Sequence, residues 1–218
     1  MLKFYHVPLS SNSRRVWILL LEKQLEFEEI RMQLNGDQLQ PEFLAMNPFH
    51  HIPVLTDNEF SVIESLAIMD YLEAQYPSHH FTPTDAKLLA KMRMLQMVSV
   101  NELQPAFFPL LRNRVGLPED PAKPFNAAQE KVKTVLNFYQ KNLGDKAYLV
   151  GEQITLADFV VITLFLDLKA LNFPLDNYSK LLAWCDRLME RETVQTTTPT
   201  AEETEAAYGF IKKMIEGK

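Results

Sequence analysis

Cysteine is nearly absent from this 218-residue chain, with Cys185 as the one example. A single thiol can neither close an internal disulfide nor build a cysteine-based zinc site, and it fits a reducing compartment. The five histidines do not fill that gap. None falls in an HExxH or comparable spacing, so no metal site is expected. Positive charge is not in excess either. Lys and Arg number 22 against 28 Asp and Glu, a formal net charge of −6. That leaves no basic stripe to displace phosphate counterions and argues against nucleic acid as a partner. No apolar stretch approaches the roughly 20 residues of a membrane span. Met1 to Tyr5 hold no basic segment ahead of a long apolar run, so a secretory leader is not expected. What remains is an acidic chain expected in the cytoplasm, long enough for one large domain or two small ones.

Hydrophobic periodicity changes character midway. Residues 2–7 alternate and predict a strand, and residues 13–24 predict a helix with Val16, Leu19 and Leu20 inward. Residues 25–32 predict a returning strand. A polar loop and a short helical turn lead to Pro53, then to a hairpin of strands 53–56 and 60–63 around Asp57-Asn58, and to a helix over 65–76. Residues 77–84 (PSHHFTPT) form a polar, proline-containing linker. Beyond it the period is helical throughout: from about 85 to Pro105 and on, bent or restarted, through FFPLLRN; over 125–143; after Thr155; over 178–191; and over 201–216, with TTTPT as a loop. Thr155 and Asp158 make a capping box, with Ile154 and Phe159 as its hydrophobic staple, so Asp158 is a folding residue rather than a site residue.

The stretch from Asn47 to Leu72, NPFHHIPVLTDNEFSVIESLAIMDYL, carries the chemistry. Pro53 has no N–H to give and belongs at the mouth of a strand. With a cis bond there, Ile52 presents its own N–H and C=O outward to an extended peptide. Glu64 and Ser65 open a helix, so backbone donors, a hydroxyl and a carboxylate converge where an amino-acid head would fit. Together they predict a cradle for a small peptide.

These residues resemble the thioredoxin-fold half of cytosolic glutathione transferases. The opening LKFYHVPLSSNSRRVWILLLEK is similar to the first strand, active-site loop and first helix of that family, and the helical second half extends the resemblance over nearly the whole chain. It implies a thioredoxin-like βαβ-ββα domain over residues 1–76, the linker 77–84, and an all-α domain over 85–218 that supplies the electrophile site. It also implies glutathione as co-substrate. Ile52, before Pro53, would pair with the cysteinyl backbone, and Glu64 and Ser65 would hold the γ-glutamyl end. NPFHHIP matches a delta-like N-P-x-H-x-I-P pattern, which puts His50 at the glycyl carboxylate with His51 beside it. Gln38 stands where the family carries another polar contact, and Leu66 where several classes carry an arginine.

A thiol with an ordinary pKa of about 8.5 is mostly protonated at neutral pH, so a transferase must favour the thiolate. A serine hydroxyl can do so by donating a hydrogen bond, aided by a helix N-terminus. Ser10 matches the catalytic serine of the delta-, theta- and zeta-like classes, with Ser11 next to it. Tyr5 is the third candidate, since alpha-, mu- and pi-like members use a tyrosine at the end of the first strand. Read without the resemblance, Ser10, Ser11 and Ser13 are helix-cap candidates and Tyr5 a half-buried strand aromatic. Leu9, Phe107, Phe108, Leu111 and Arg112 are the expected lining for a small hydrophobic electrophile, such as an aryl halide, isothiocyanate, enal or hydroperoxide. A homodimer is implied, through helix 65–76 and the helix from 85. Two alternatives stay open: a zeta-like isomerase, from which Asn12 departs by replacing a cysteine, and a non-catalytic module built on the same fold.

Overall fold

The computed structural model describes residues 1–217. Strand β1 (Leu2–His6), helix α1 (Ser11–Glu22) and strand β2 (Phe27–Arg31) form a parallel β-α-β unit, with Leu2 opposite Phe27 and His6 opposite Arg31. A 3₁₀ turn at Asp37–Leu39 and helix α2 (Pro41–Met46) follow. Strands β3 (Val54–Asp57) and β4 (Phe60–Ile63) then make an antiparallel hairpin, and helix α3 (Ser65–Gln75) closes the half. The sheet order is β2-β1-β3-β4. Strand β2 is shorter than its alternation predicts, because Gln24 adopts a left-handed turn (φ 54°) and Leu25 is spent in that turn.

Alternation along β1 sorts the two faces of the sheet. Leu2 and Phe4 enter the main core with α1 and α3. Tyr5 and Val7 face the other way, onto a smaller cluster of Met32, Phe43 and Val54 under α2. Helix α1 is enclosed more completely than its period suggests: every residue from Ser13 to Leu20 is buried, Arg14 and Arg15 included. It lies between the sheet and a helix of the second half, which together bury that stretch.

The second half holds α4 (Ala86–Val98), a π-helical segment (Ser99–Leu103), α5 (Gln104–Arg114), α6 (Phe125–Leu143), α7 (Leu156–Ala170), α8 (Ser179–Met189), α9 (Glu192–Thr197) and α10 (Ala201–Glu216). The bend expected near Pro105 is thus a wide turn, with Pro105 in the first turn of α5, where it has no N–H to leave unpaired. Helix α7 is apolar on all sides and buried from Leu156 to Phe165, the mark of a central helix. Its capping box is complete. Asp158 accepts from Leu149 N (3.0 Å), Thr155 N (2.9 Å), Thr155 Oγ1 (3.1 Å) and Trp184 Nε1 (3.0 Å). Helix α9 was not expected; it reaches Thr197 and so takes in the start of the TTTPT stretch, anchored by the buried Val194.

The linking segment is held by one cation. The Lys23 ammonium at the end of α1 donates to the carbonyls of Tyr76 (2.8 Å), Ser78 (3.0 Å) and His79 (3.2 Å) and pairs with Glu73 at 2.8 Å. Among the described residues no helix is long and apolar enough to cross a membrane.

Candidate active site

The turn between β1 and α1 is built by serines. Ser10 N donates to Val7 O (3.0 Å), and Val7 N donates to Ser13 Oγ (3.3 Å). Ser10 is the N-cap of α1, and its Oγ accepts from Ser13 N at 3.4 Å. Cap and donor roles are compatible in one hydroxyl: the cap uses a lone pair and leaves the proton to donate. Ser10 also lines a cavity of about 420 Å³, together with Asn12, Leu34, Gln38, Asn47, the segment His50–Pro53, Glu64 and Ser65.

The opposite wall is the loop before β3. Asn47, only 2% exposed, ties it down. Its Nδ2 donates to His51 O (2.8 Å), its Oδ1 accepts from Phe49 N (3.0 Å), and its carbonyl accepts from His50 N (3.0 Å). The Ile52–Pro53 peptide is cis. Ile52 lies one residue outside β3, and its backbone N–H and C=O carry no hydrogen bond among the described residues. Glu64 is held at φ 66°, ψ 113°, a backbone conformation that costs a non-glycine residue about 1–3 kcal/mol and that recurs at ligand clamps. It caps α3 without a side-chain bond, which leaves the N–H groups of the helix's first turn uncapped, and Glu64 and Ser65 both line the cavity. Gln38 reaches the cavity from the 3₁₀ turn, although its Oε1 is already engaged by Gly36 N at 3.1 Å.

Next to this cavity is a second, more apolar cleft of about 370 Å³. Leu9, Phe107, Phe108 and Leu111 line it, joined by Leu166 and Leu171 of the α7 end and by Thr204, Ala207, Tyr208 and Ile211 of α10. Ser11 belongs to this cleft rather than to the first cavity, and Asp167 lines the same wall. Arg14 pairs with the Asp167 carboxylate and donates to Thr163 O at 3.1 Å. Buried beside it, Arg15 donates to Ser11 O (3.2 Å) and Gln104 Oε1 (3.3 Å), and burial lowers its pKa to about 10. Ser10 and Ser11 are neighbours in the chain yet face different cavities, so the two spaces meet at their peptide bond.

Two expectations need correction. Tyr5 does not line the cavity: the strand's alternation turns its ring onto the α2 face, 6.1 Å from that of Phe43. Arg112 leaves the cleft, because its Nε and Nη2 donate to Pro118 O at 2.9 and 2.6 Å while its guanidinium covers the Phe108 ring. Sequence reasoning passed over Asn12, Leu34 and Asn47 in the cavity and the α10 residues in the cleft. The fixed Asn of the NPFHHIP stretch was a usable signal for Asn47. The helix 201–216 offered none, since its apolar residues are mixed with charged ones and none of them is buried.

Fold and site together define a thioredoxin-like domain with a polar-lined cavity beside an apolar cleft roofed by helices of an all-helical half. Residues 4–80 match the glutathione S-transferase N-terminal domain family, and residues 98–192 the glutathione S-transferase C-terminal domain family. Glutathione S-transferase 3 of Zea mays is 37% identical over 164 residues, 72% of this chain and 73% of its own length. Glutathione S-transferase F10 of Arabidopsis thaliana is 34% identical over 161 residues, 70% of this chain and 74% of its own. A delta-class glutathione transferase from Nilaparvata lugens superposes with a TM-score of 0.82 at 26% identity, covering 95% of this chain and 100% of that one. The chain belongs to the glutathione S-transferase family and is a glutathione transferase. Its family uses glutathione as co-substrate, and nothing in these matches favours an isomerase or a non-catalytic module.

Proposed function

We propose that this transferase is of the serine type and conjugates glutathione to small hydrophobic electrophiles through a thiolate held by Ser10. One observation carries the reading: the Ser10 hydroxyl spends its oxygen on the cap of α1 and lines the same cavity as Ile52, Glu64 and Ser65. Its proton is then free to donate to a sulfur that also lies at a helix N-terminus, and both effects favour the thiolate. In this reading residues 1–76 hold glutathione. Ile52 pairs with the cysteinyl backbone, and the Glu64 carboxylate takes the γ-glutamyl ammonium. Ser65 and the first turn of α3 take the γ-glutamyl carboxylate. His50, with His51 and Gln38 beside it, receives the glycyl end. The linker 77–84 joins this unit to residues 85–218, which supply the electrophile cleft with Leu9. The thiolate attacks the electrophilic carbon at the Ser10–Ser11 junction; a halide departs with the bonding pair in substitution, with the thiol proton going to solvent, and in addition the π pair of the acceptor takes up a proton in place of the one the thiol gave up. The same thiolate would support peroxidase turnover of hydroperoxides.

The decisive assay mixes purified protein and glutathione with an aryl halide, an isothiocyanate or cumene hydroperoxide. Turnover is expected to collapse in Ser10→Ala and to persist in Tyr5→Phe. Turnover that survives Ser10→Ala and is lost in Ser11→Ala would move the role to Ser11.

A homodimer through α3 and α4 fits the exposed Leu88, Met94 and Met97 on α4, and sedimentation at the mass of one chain would remove it. A cytoplasmic setting fits a chain whose one cysteine is buried, and cell fractionation tests it.

A further inference from the structure

Arg15 is fully buried and has no carboxylate of its own. Its Nε donates to Ser11 O at 3.2 Å and its Nη2 to Gln104 Oε1 at 3.3 Å, both neutral acceptors. Its Nη1 has no hydrogen-bond partner among the described residues. The charges that act on it are Asp167 of α7 and Arg14 of its own helix, with the Tyr139 phenol of α6 beside them. Asp167 is paired with Arg14. Two buried guanidinium groups therefore share one carboxylate, and one positive charge is left in excess. Burial brings the Arg15 pKa down to about 10, so the group is still charged at neutral pH.

A buried cation without its own counterion is a costly arrangement, and an apolar side chain of similar volume would avoid it. Its place in the fold suggests what it does. Helical side chains lean toward the helix N-terminus, and the bond to Ser11 O, four residues back, shows Arg15 leaning that way. The cation thus lies against the first turn of α1, whose N-cap is Ser10, and adds to the positive end of the helix dipole. Its second partner, Gln104, opens α5 directly after the π-helical segment, a type of irregularity that recurs at functional sites.

We propose that Arg15 is a positioning residue for the transferase reaction: its uncompensated charge favours the glutathione thiolate at the α1 N-terminus, and its fork ties the Ser11 carbonyl to α5 through Gln104. Arg15 lines neither cavity, so it acts through space and not by contact. At a separation of about 10 Å and an effective dielectric of about 20, one charge moves a pKa by about one unit. Glu64, His50 and His51 line the cavity on which Ser10 opens, and the substitutions below leave them in place.

Arg15 acts on the thiolate that the Ser10 reading assigns, and one experiment tests the two separately. The thiol of bound glutathione is titrated by its ultraviolet absorbance in the wild type, Arg15→Met and Gln104→Glu, with urea midpoints to confirm folding. No electrophile is present, so the place of Gln104 in the wall of the neighbouring cleft does not enter. Arg15→Met removes the charge together with its two bonds. Gln104→Glu keeps an oxygen for Nη2 and the bond to Ser11 O, but gives the guanidinium a counterion. Both variants are expected to raise the thiol pKa by about one unit. An unmoved titration in Gln104→Glu makes Arg15 a structural brace only and overturns the proposal. A shift in Gln104→Glu without one in folded Arg15→Met belongs to the new carboxylate and overturns it too. Ser10→Ala is titrated beside them. Movement in Ser10→Ala alone leaves the Ser10 reading standing without Arg15, and movement in the other two alone does the reverse. A wild-type thiol that titrates at the ordinary value of about 8.5 removes both.

Discussion

Glu22 and Arg191 meet end to end across the two halves of the molecule, Arg191 Nε on Oε1 at 2.7 Å and Nη2 on Oε2 at 2.6 Å. Glu22 is the last residue of α1, where the helix dipole disfavours a carboxylate, and its side chain is 7% exposed. The fork of Arg191 makes the position tolerable. Arg191→Met is therefore expected to destabilise the fold by about 2–3 kcal/mol, because it strands a buried charge. Glu22→Gln should cost less, about 1–2 kcal/mol, since Arg191 keeps more of its water. Urea midpoints of the two variants check the order. Arg191→Met as stable as the wild type would show that Glu22 has another neutraliser.

In the serine-type mechanism proposed above, the thiol of bound glutathione reports on Ser10 directly. A hydrogen bond to a charged group contributes about 1.5–3 kcal/mol, which corresponds to a pKa lower by about one to two units. In Ser10→Ala the ultraviolet absorbance of the bound thiolate should titrate about one to two units higher than in the wild type. Glutathione affinity should hold, since the Ile52 backbone and the α3 N-terminus are untouched. An unshifted titration would take the thiolate away from Ser10.

Acid should act first through His6. Its ring is fully buried, stacked on Phe4 and edge-on to Trp17, with Nε2 on Glu29 at 2.8 Å. Burial lowers its pKa below the ordinary 6.5, and the hydrogen bond to Glu29 opposes this only in part. The unfolded chain then binds a proton that the folded chain refuses, so stability is complete above pH 6.5 and falls as the pH drops toward the folded value. His6→Phe keeps the stacked ring and deletes the titration. Its unfolding free energy between pH 7.5 and 5.5, about the window in which histidine titrates, should be flatter than that of the wild type. Parallel profiles would exclude His6 as the source.

Much of the N-terminal half could be read from the chain because its signals are local. The hairpin at Asp57-Asn58, the strand mouth at Pro53 and the helix start at Glu64-Ser65 each depend on residues within a few positions of one another. Helix α7 was legible for the same reason, its capping box lying within four residues. What escaped depends on distant partners. The period of α1 marks Val16, Leu19 and Leu20 as inward, but nothing in it reports that Arg14 will meet Asp167 or that Arg15 will meet Gln104. Tyr5 was misplaced even though strand alternation is local, because which face of β1 meets α2 is a property of the assembled sheet. Arg112 was misplaced because its partner, the Pro118 carbonyl, belongs to a loop whose path the sequence does not encode in any period.

Asn47 gives the sharpest test of how the cavity wall is held, because its side chain bonds the backbone of the loop before β3. Its side chain closes the chain between α2 and Pro53 by donating to His51 O and accepting from Phe49 N. Asn47→Ala orphans both groups and frees the segment that presents His50 and the Ile52 backbone. Loss of one such bond contributes about 1–1.5 kcal/mol, or about a tenfold rise in the dissociation constant of glutathione. At saturating glutathione kcat should stay near wild type, since the Ser10 turn is closed independently by Val7 and Ser13. Asn47→Asp keeps the acceptor for Phe49 N but cannot donate to His51 O, and should fall between the two. Calorimetric titration with glutathione beside initial rates separates the effects. An unchanged dissociation constant in Asn47→Ala would mean that Ile52 is positioned by the sheet alone, and a lost kcat would mean that the loop reaches the sulfur.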